Sequence, residues 1–117
     1  MAYHRSDRIA GEIKKQVSKI INDDVKDPRI SEMLSITRVE VTRDIRYAKI
    51  YVSVLGDEEE KNATIEGLEN AKGYIRNELG HILKIRYTPE LKFILDNSIE
   101  YSIDIAKKLA ELKQGDE

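Results

Sequence analysis

Lys72 and Arg76 stand about one helical turn apart, on either side of Gly73, in a stretch whose apolar residues keep a helical period. Leu68, Ala71, Ile75, Leu79 and Ile82 mark one face, and Lys72 falls four residues after Leu68 and three before Ile75. In one straight helix its ammonium would lie inside the apolar stripe, and burying an unpaired charge is expensive. Gly73 adds a penalty of about 1 kcal/mol relative to alanine. Both misfits vanish if the helix breaks near Ala71-Lys72-Gly73 and restarts in a new direction. A restart bares main-chain amides at a new N-terminus, and those amides, with the helix dipole, attract phosphate. The expected chemistry is a grip on a nucleic-acid backbone by Lys72, Gly73 and Arg76. The competing reading is a lysine that snorkels beside a packing glycine. Gly67 and Gly80 also interrupt the pattern, so glycine alone does not place the break.

Other cations fall into groups. Arg8, Lys15, Lys19 and Lys26 follow spacings of 7, 4 and 7, a line opposite Ile9, Ile13 and Ile20. Such a line is a row of phosphate contacts or simply a solvated face. Arg43, Arg46 and Lys49 cluster around a short turn. Lys84 and Arg86 join Lys72, Arg76 and Lys92 in a basic segment, residues 71–92, with two acids against five bases. The preceding segment, residues 57–70, holds six acids and one base, so the molecule is expected to be polarised although its net charge is −2.

Catalytic and metal chemistry find little support. The two histidines, His4 and His81, lack convergent partners and suit ordinary surface or packing roles, His4 in a loose terminus and His81 beside the buried helix face. Asp23, Asp24 and Asp27 lack the alternating ligands and glycine of a calcium loop and read as solvated residues at a helix end. Glu58, Glu59 and Glu60 suit a helix start. Tyr47 and Tyr51 share one face of a strand, where bases could stack, but packing against a neighbouring element is the expected role. Tyr74 and Tyr101 are expected at the rim of the core. The absence of cysteine removes disulfides, thiolate metal sites and thiol nucleophiles. No catalytic residue, metal or cofactor is expected.

The elements that must position these groups are legible from periodicity. Ile9, Ile13, Val17 and Ile20 predict a helix over 6–25, capped by Ser6 and ended before Pro28. Alternation predicts strands over 36–42 and 47–54, joined as an antiparallel hairpin by a four-residue link. Asp57, with Glu60 three residues on, starts the next helix, which runs to about 83. Leu91, Phe93 and Leu95 predict a third strand. Asn97 caps a last helix carrying Ile99, Ile103, Ala106, Leu109 and Ala110, and the tail 114–117 frays. The 117 residues make one domain, 1–117, with an ordered part near 5–112: an α+β fold whose small sheet needs helices over one face. No secretory signal is expected from the N-terminal residues and no apolar run is long enough to span a bilayer, so a cytoplasmic monomer is expected, without membrane contact.

That element order resembles the type II KH fold with an extra C-terminal helix. KH domains carry a GxxG loop between paired helices; here Ala71-Lys72-Gly73 stands at that place. An interhelical Ala-x-Gly kink replacing GxxG resembles the ribosome-binding factor A family. Lys26-Asp27-Pro28-Arg29, the run 42–52, Gly73-Tyr74-Ile75-Arg76 and the run 89–98 are similar to that family's segments, in the same order, over about 5–98. The long polar C-terminal extension of some members is not expected here. The resemblance implies a factor that binds the immature small (30S) ribosomal subunit and its 16S rRNA. It implies help in late maturation and 5′-end processing without cleavage, and a role in growth in the cold. The alternatives are a protein-interaction module acting through the acidic 57–70 segment on the same scaffold and, last, a carboxylate-dependent nuclease.

Overall fold

A computed structural model describes residues 4–96. Five elements follow in order: α1 (Arg5–Asp23), β1 (Leu34–Val41), β2 (Tyr47–Val54), α2 (Glu58–Leu83) and β3 (Glu90–Leu95). The expected helix from Asn97, Tyr101 and the tail 114–117 lie outside the described residues.

The apolar face of α1, Ile9, Ile13, Val17, Ile20 and Ile21, is buried. Its N-cap is His4 rather than Ser6. The Asp7 carboxylate accepts the His4 backbone N–H at 3.0 Å, which satisfies the chain two residues earlier than expected and leaves Ser6 buried inside the first turn. His4 is thus part of the helix entry, not a loose end.

β1 and β2 pair antiparallel, as the short link requires, and β2 pairs parallel with β3 across the α2 crossover. The order β1-β2-β3 leaves β2 central. Thr37 forms a bulge in β1, and its hydroxyl donates to the Asp96 carboxylate at 2.6 Å, tying that bulge to the end of β3. Ala48, Ile50, Val52 and Val54 of β2, with Leu91 and Phe93 of β3, face the helices. Both helices pack on that side. Ile13, Ile50, Leu68, Ile75 and Leu79 are wholly buried, each contributing about 1.5–3 kcal/mol as an upper estimate. This is the α+β, KH-like arrangement that the sequence predicts.

One expectation is overturned. α2 runs uninterrupted through Ala71, Lys72 and Gly73, so there is one helix where two were expected and no second N-terminus. The physical reason is the edge position of Lys72. Leu68, Ile75 and Leu79 hold the centre of the stripe, while Ala71 and Lys72 flank it about 100° apart. Lys72 keeps its aliphatic stem against the molecule and turns its ammonium to Glu69, one turn back. A Cβ built on Gly73 would meet nothing within 4 Å, and its backbone is ordinary helix. The snorkelling reading therefore holds for Lys72, but Gly73 is not the packing glycine. Gly67 is: a Cβ there would come within 2.7 Å of Ile30. The lysine that α2 does bury is Lys61, at its N-terminal end, 3.7 Å from the Glu58 carboxylate.

Gly67 admits the connection between α1 and β1. In that connection Arg29 makes a two-pronged pair with Asp27, at 3.1 Å and 2.7 Å, and reaches Glu66 of α2 at 3.3 Å. The buried Thr64 hydroxyl accepts the Ser31 N–H at 3.1 Å and donates to the Glu60 carbonyl at 2.8 Å. Asp27 is thus a clip rather than a solvated helix-end residue.

Candidate nucleic-acid interface

Four arginines converge at one end of the molecule, where the β1–β2 turn, the α2–β3 loop and the start of α1 meet. The turn is sewn by its own side chains. The Thr42 hydroxyl donates to Asp44 at 2.7 Å, the Arg46 N–H donates to the same carboxylate at 3.2 Å, and Thr42 accepts the Tyr47 N–H at 3.1 Å. Ile45 takes a left-handed backbone, φ 60°, which a β-branched residue adopts only under constraint. The result fixes Arg46 and Tyr47 at the mouth of the hairpin.

The α2–β3 loop is positioned from α2. The helix stops at Lys84, whose backbone is also left-handed (φ 52°, ψ 36°). Thr88 lies so close to Gly80 that a Cβ there would sit 2.8 Å from its hydroxyl oxygen. The Arg76 guanidinium donates to the Thr88 carbonyl at 2.9 Å and the Pro89 carbonyl at 3.3 Å. Glu90 N–H donates to the Arg46 carbonyl at 2.8 Å, which joins this loop to the hairpin turn. Arg76 therefore positions the loop that carries Arg86 and Tyr87.

Between these parts lies a cleft of about 690 Å³, lined by four arginines (Arg5, Arg46, Arg76 and Arg86), Tyr47 and Tyr87, against two carboxylates, Asp44 and Glu90. The guanidinium of Arg86 lies 5.5 Å from the centre of the Tyr87 ring, within range of cation–π attraction. α2 thus carries opposite charge at its two ends, about 39 Å apart: three glutamates in the first turn and the arginine cleft beyond the last. Each sign complements the helix dipole.

Of the residues expected from sequence to contact RNA, Arg46, Arg76 and Arg86 come together here. Lys84 stands at the helix end just before the loop, and Arg43 is exposed within the turn. Lys49 is exposed on the sheet face away from the helices, opposite Lys92. Arg8, Lys15 and Lys19 form the exposed stripe on α1, opposite its buried face. Lys72 and Gly73 do not line the cleft. Two lining residues, Arg5 and Tyr87, were not singled out in the sequence. Tyr47 is half exposed rather than packed away, whereas the Tyr51 ring is covered by the Arg38 guanidinium at 4.1 Å.

The family-model comparison matches residues 5–109 to "Ribosome-binding factor A". The chain belongs to the ribosome-binding factor A family. A ribosome-binding factor A of Caldanaerobacter subterraneus subsp. tengcongensis is 55% identical over 116 residues, 97% of this chain and 95% of that one. One from Clostridium novyi is 50% identical over 97% of this chain and 94% of its own. Among solved structures, a Thermotoga maritima protein described as a ribosome binding factor A superposes with a TM-score of 0.72 at 34% identity, covering 80% of this chain and 89% of that one. A Thermus thermophilus ribosome binding factor A, built by homology and fitted into a cryo-EM map of a complex with the 30S subunit, shares the fold at TM-score 0.62 and 22% identity, over 75% and 91% of the two chains.

Within this ribosome-binding factor A domain, the segments that carried the resemblance mostly build the scaffold of the cleft. Asp27 and Arg29 close the α1–β1 connection, and Thr42 and Asp44 shape the turn. Hydrogen bonds from Arg29 hold the Asp27 carboxyl below its ordinary value, and those from Thr42 and the Arg46 amide do the same for Asp44. A carboxyl with a lowered folded-state pKa contributes stability above its unfolded value, about 3.9, and loses that contribution as pH falls through the folded value. Both contributions should therefore be constant between neutrality and about pH 5, decline as pH falls below about 4, and vanish only below the lowered folded values. Thermal melts at stepped pH check this: the fall in Tm below about pH 4 should be shallower in Asp27→Asn/Asp44→Asn than in the parent. Identical slopes would show that neither carboxylate is linked to folding.

Proposed function

We propose that this chain binds the immature small ribosomal subunit through its 16S rRNA. There it assists late maturation and 5′-end processing by binding, without cutting RNA. The observation that carries this reading is the convergence of Arg5, Arg46, Arg76 and Arg86 with two exposed tyrosines in one cleft. Guanidinium groups pair with phosphate in two-pronged geometry, and aromatic rings offer a face to bases. The Thermus relative's complex with the 30S subunit supports the choice of partner. On this reading the protein works as a monomer in the cytoplasm, where ribosomes are; no described helix is long and apolar enough to cross a membrane.

The test is co-sedimentation of the purified protein with immature small subunits over a salt series. Phosphate contacts release counterions, so log affinity should fall linearly with log salt, with a slope of about −0.9 per contact on duplex and about −0.7 on single strands. A flat salt response would reject phosphate recognition. A flat response combined with loss of binding on charge reversal of Glu58, Glu59 and Glu60 would move the contact to the acidic start of α2.

A further inference from the structure

We infer that the cleft seats one unpaired nucleotide, its base stacked on the ring of Tyr87 and its flanking phosphates held by Arg5, Arg46 and Arg86. This rests on the RNA-binding reading above and adds which form of RNA the cleft takes and which residue reads it. Tyr87 is 73% exposed, the most exposed of the large apolar and aromatic side chains among the described residues. A bare ring contributes nothing to binding duplex RNA, whose bases are already stacked and whose accessible surface is phosphate and ribose. It contributes a great deal where a base is free to leave its stack, because every base has a face that an aromatic ring can cover.

The surroundings point the same way. The Arg86 guanidinium lies 5.5 Å from the centre of the Tyr87 ring, within range of cation–π attraction, and leaves the ring open to a base. The loop itself is held by the carbonyl contacts of Arg76 and by the close fit of Thr88 on Gly80. Across the cleft stands Tyr47, 54% exposed, beside Arg46. The cleft volume, about 690 Å³, falls within the range of about 300–1,000 Å³ usual for small-ligand sites. Both non-glycine residues with positive φ among the described residues sit at this place: Ile45 lines the cleft and Lys84 begins the loop that bears Tyr87. Backbone strain of that kind persists where the surrounding structure enforces a particular shape. Tyr51 makes the contrast, since its ring is already covered by Arg38 and its hydroxyl donates to Glu40 at 3.3 Å.

The experiment measures fluorescence anisotropy of three labelled probes: a short single-stranded oligoribonucleotide, a blunt RNA duplex of the same length, and guanosine monophosphate. A 2-aminopurine in the single strand reports stacking directly. Wild type should prefer the single strand and quench the 2-aminopurine. Tyr87→Ala should weaken single-strand binding by about five- to hundred-fold, leave duplex binding unchanged and lose the quenching. Tyr87→Phe and Tyr87→Trp should retain both, because stacking needs the ring and not the hydroxyl. Tyr87 is exposed enough that Tyr87→Ala should fold as the parent does, checked by circular dichroism. Equal single-strand binding by Tyr87→Ala and wild type would overturn the inference, as would a loss shared by Tyr87→Phe. If the three proteins still co-sediment with small subunits in that case, the ribosome-binding reading survives and the stacked nucleotide alone fails. Mononucleotide binding as tight as that of the oligomer would overturn the assignment to RNA in favour of a free nucleotide.

Discussion

Reversing Arg46 and Arg86 together to glutamate should lower affinity for immature small subunits about hundred-fold at roughly 0.1 M salt. Each phosphate contact is worth nearly a tenfold change at that ionic strength, because the logarithm of affinity scales with about 0.9 of the contacts made. The log–log salt slope should shrink by about 2. The fold should be untouched. The Arg46 side chain is 77% exposed and its ion pair to Asp44, at 3.7 Å, is a surface pair of small worth. Arg86 is exposed and makes contact with the ring of Tyr87. Surface changes of this kind shift stability by within about 0.5 kcal/mol.

These two residues are better probes than the pair the sequence suggests, Lys72 and Arg76. Lys72 is paired with Glu69 and does not line the cleft. Arg76 holds two loop carbonyls, so its reversal would release the α2–β3 loop and confuse loss of shape with loss of charge. A control comes from α1. Lys15→Glu with Lys19→Glu removes two exposed cations of the same sign outside the cleft. If that pair weakens binding as much as Arg46→Glu/Arg86→Glu, the protein is attracted by its overall field and the cleft has no special part.

The elements were readable because each has an unambiguous period. Ile13 and Val17 recur at the helical interval and are fully buried, and Ile50 and Val52 alternate with Lys49 and Tyr51 across the sheet. The cleft was not readable in the same way. Arg5, Arg46, Arg76 and Arg86 come from four separate parts of the chain, and no local spacing joins them. The hydrogen bond from Glu90 to Arg46 and the anchoring of the loop by Arg76 bring three of them together, and the start of α1 adds Arg5. One local signal was present for Tyr87, an aromatic residue next to Arg86 and three positions after Lys84. Arg5 was hidden by the helix start: with Ser6 taken as the cap, Arg5 belonged to a tail, whereas with His4 as the cap it opens α1.

The reading of Ala71-Lys72-Gly73 failed for a different reason. Periodicity tells which face a residue is on, but not how far from the centre of that face a long side chain can reach. Lysine has enough stem to sit at the edge of a buried stripe and leave its charge in water. The phosphate grip then does not need a helix N-terminus in the middle of α2. It is supplied by guanidinium groups at the far end of the same helix.

The glycines of α2 make this distinction measurable, because two of them should respond in opposite directions. Gly73→Ala should stabilise the protein by about 0.5–1 kcal/mol, since it removes the helix-interior penalty of glycine at an exposed position where a Cβ meets nothing within 4 Å. Gly67→Val should destabilise by at least about 2 kcal/mol, the cost of overpacking. Its Cβ alone would come within 2.7 Å of Ile30 and 3.4 Å of the Arg29 stem, and two γ methyl groups add bulk to that clash. The displaced segment would carry with it the Asp27–Arg29 clip and the Ser31 contact to Thr64. Urea denaturation of the three proteins decides the matter. The expected order of midpoints is Gly73→Ala above wild type above Gly67→Val, with unchanged m-values. A sharp break in the backbone at Gly73 would reverse the first inequality, because alanine would then be forced into a conformation it avoids. With Gly73→Ala stable, its binding to small subunits should also match that of wild type, since the contact residues lie in the cleft and not at the middle of α2.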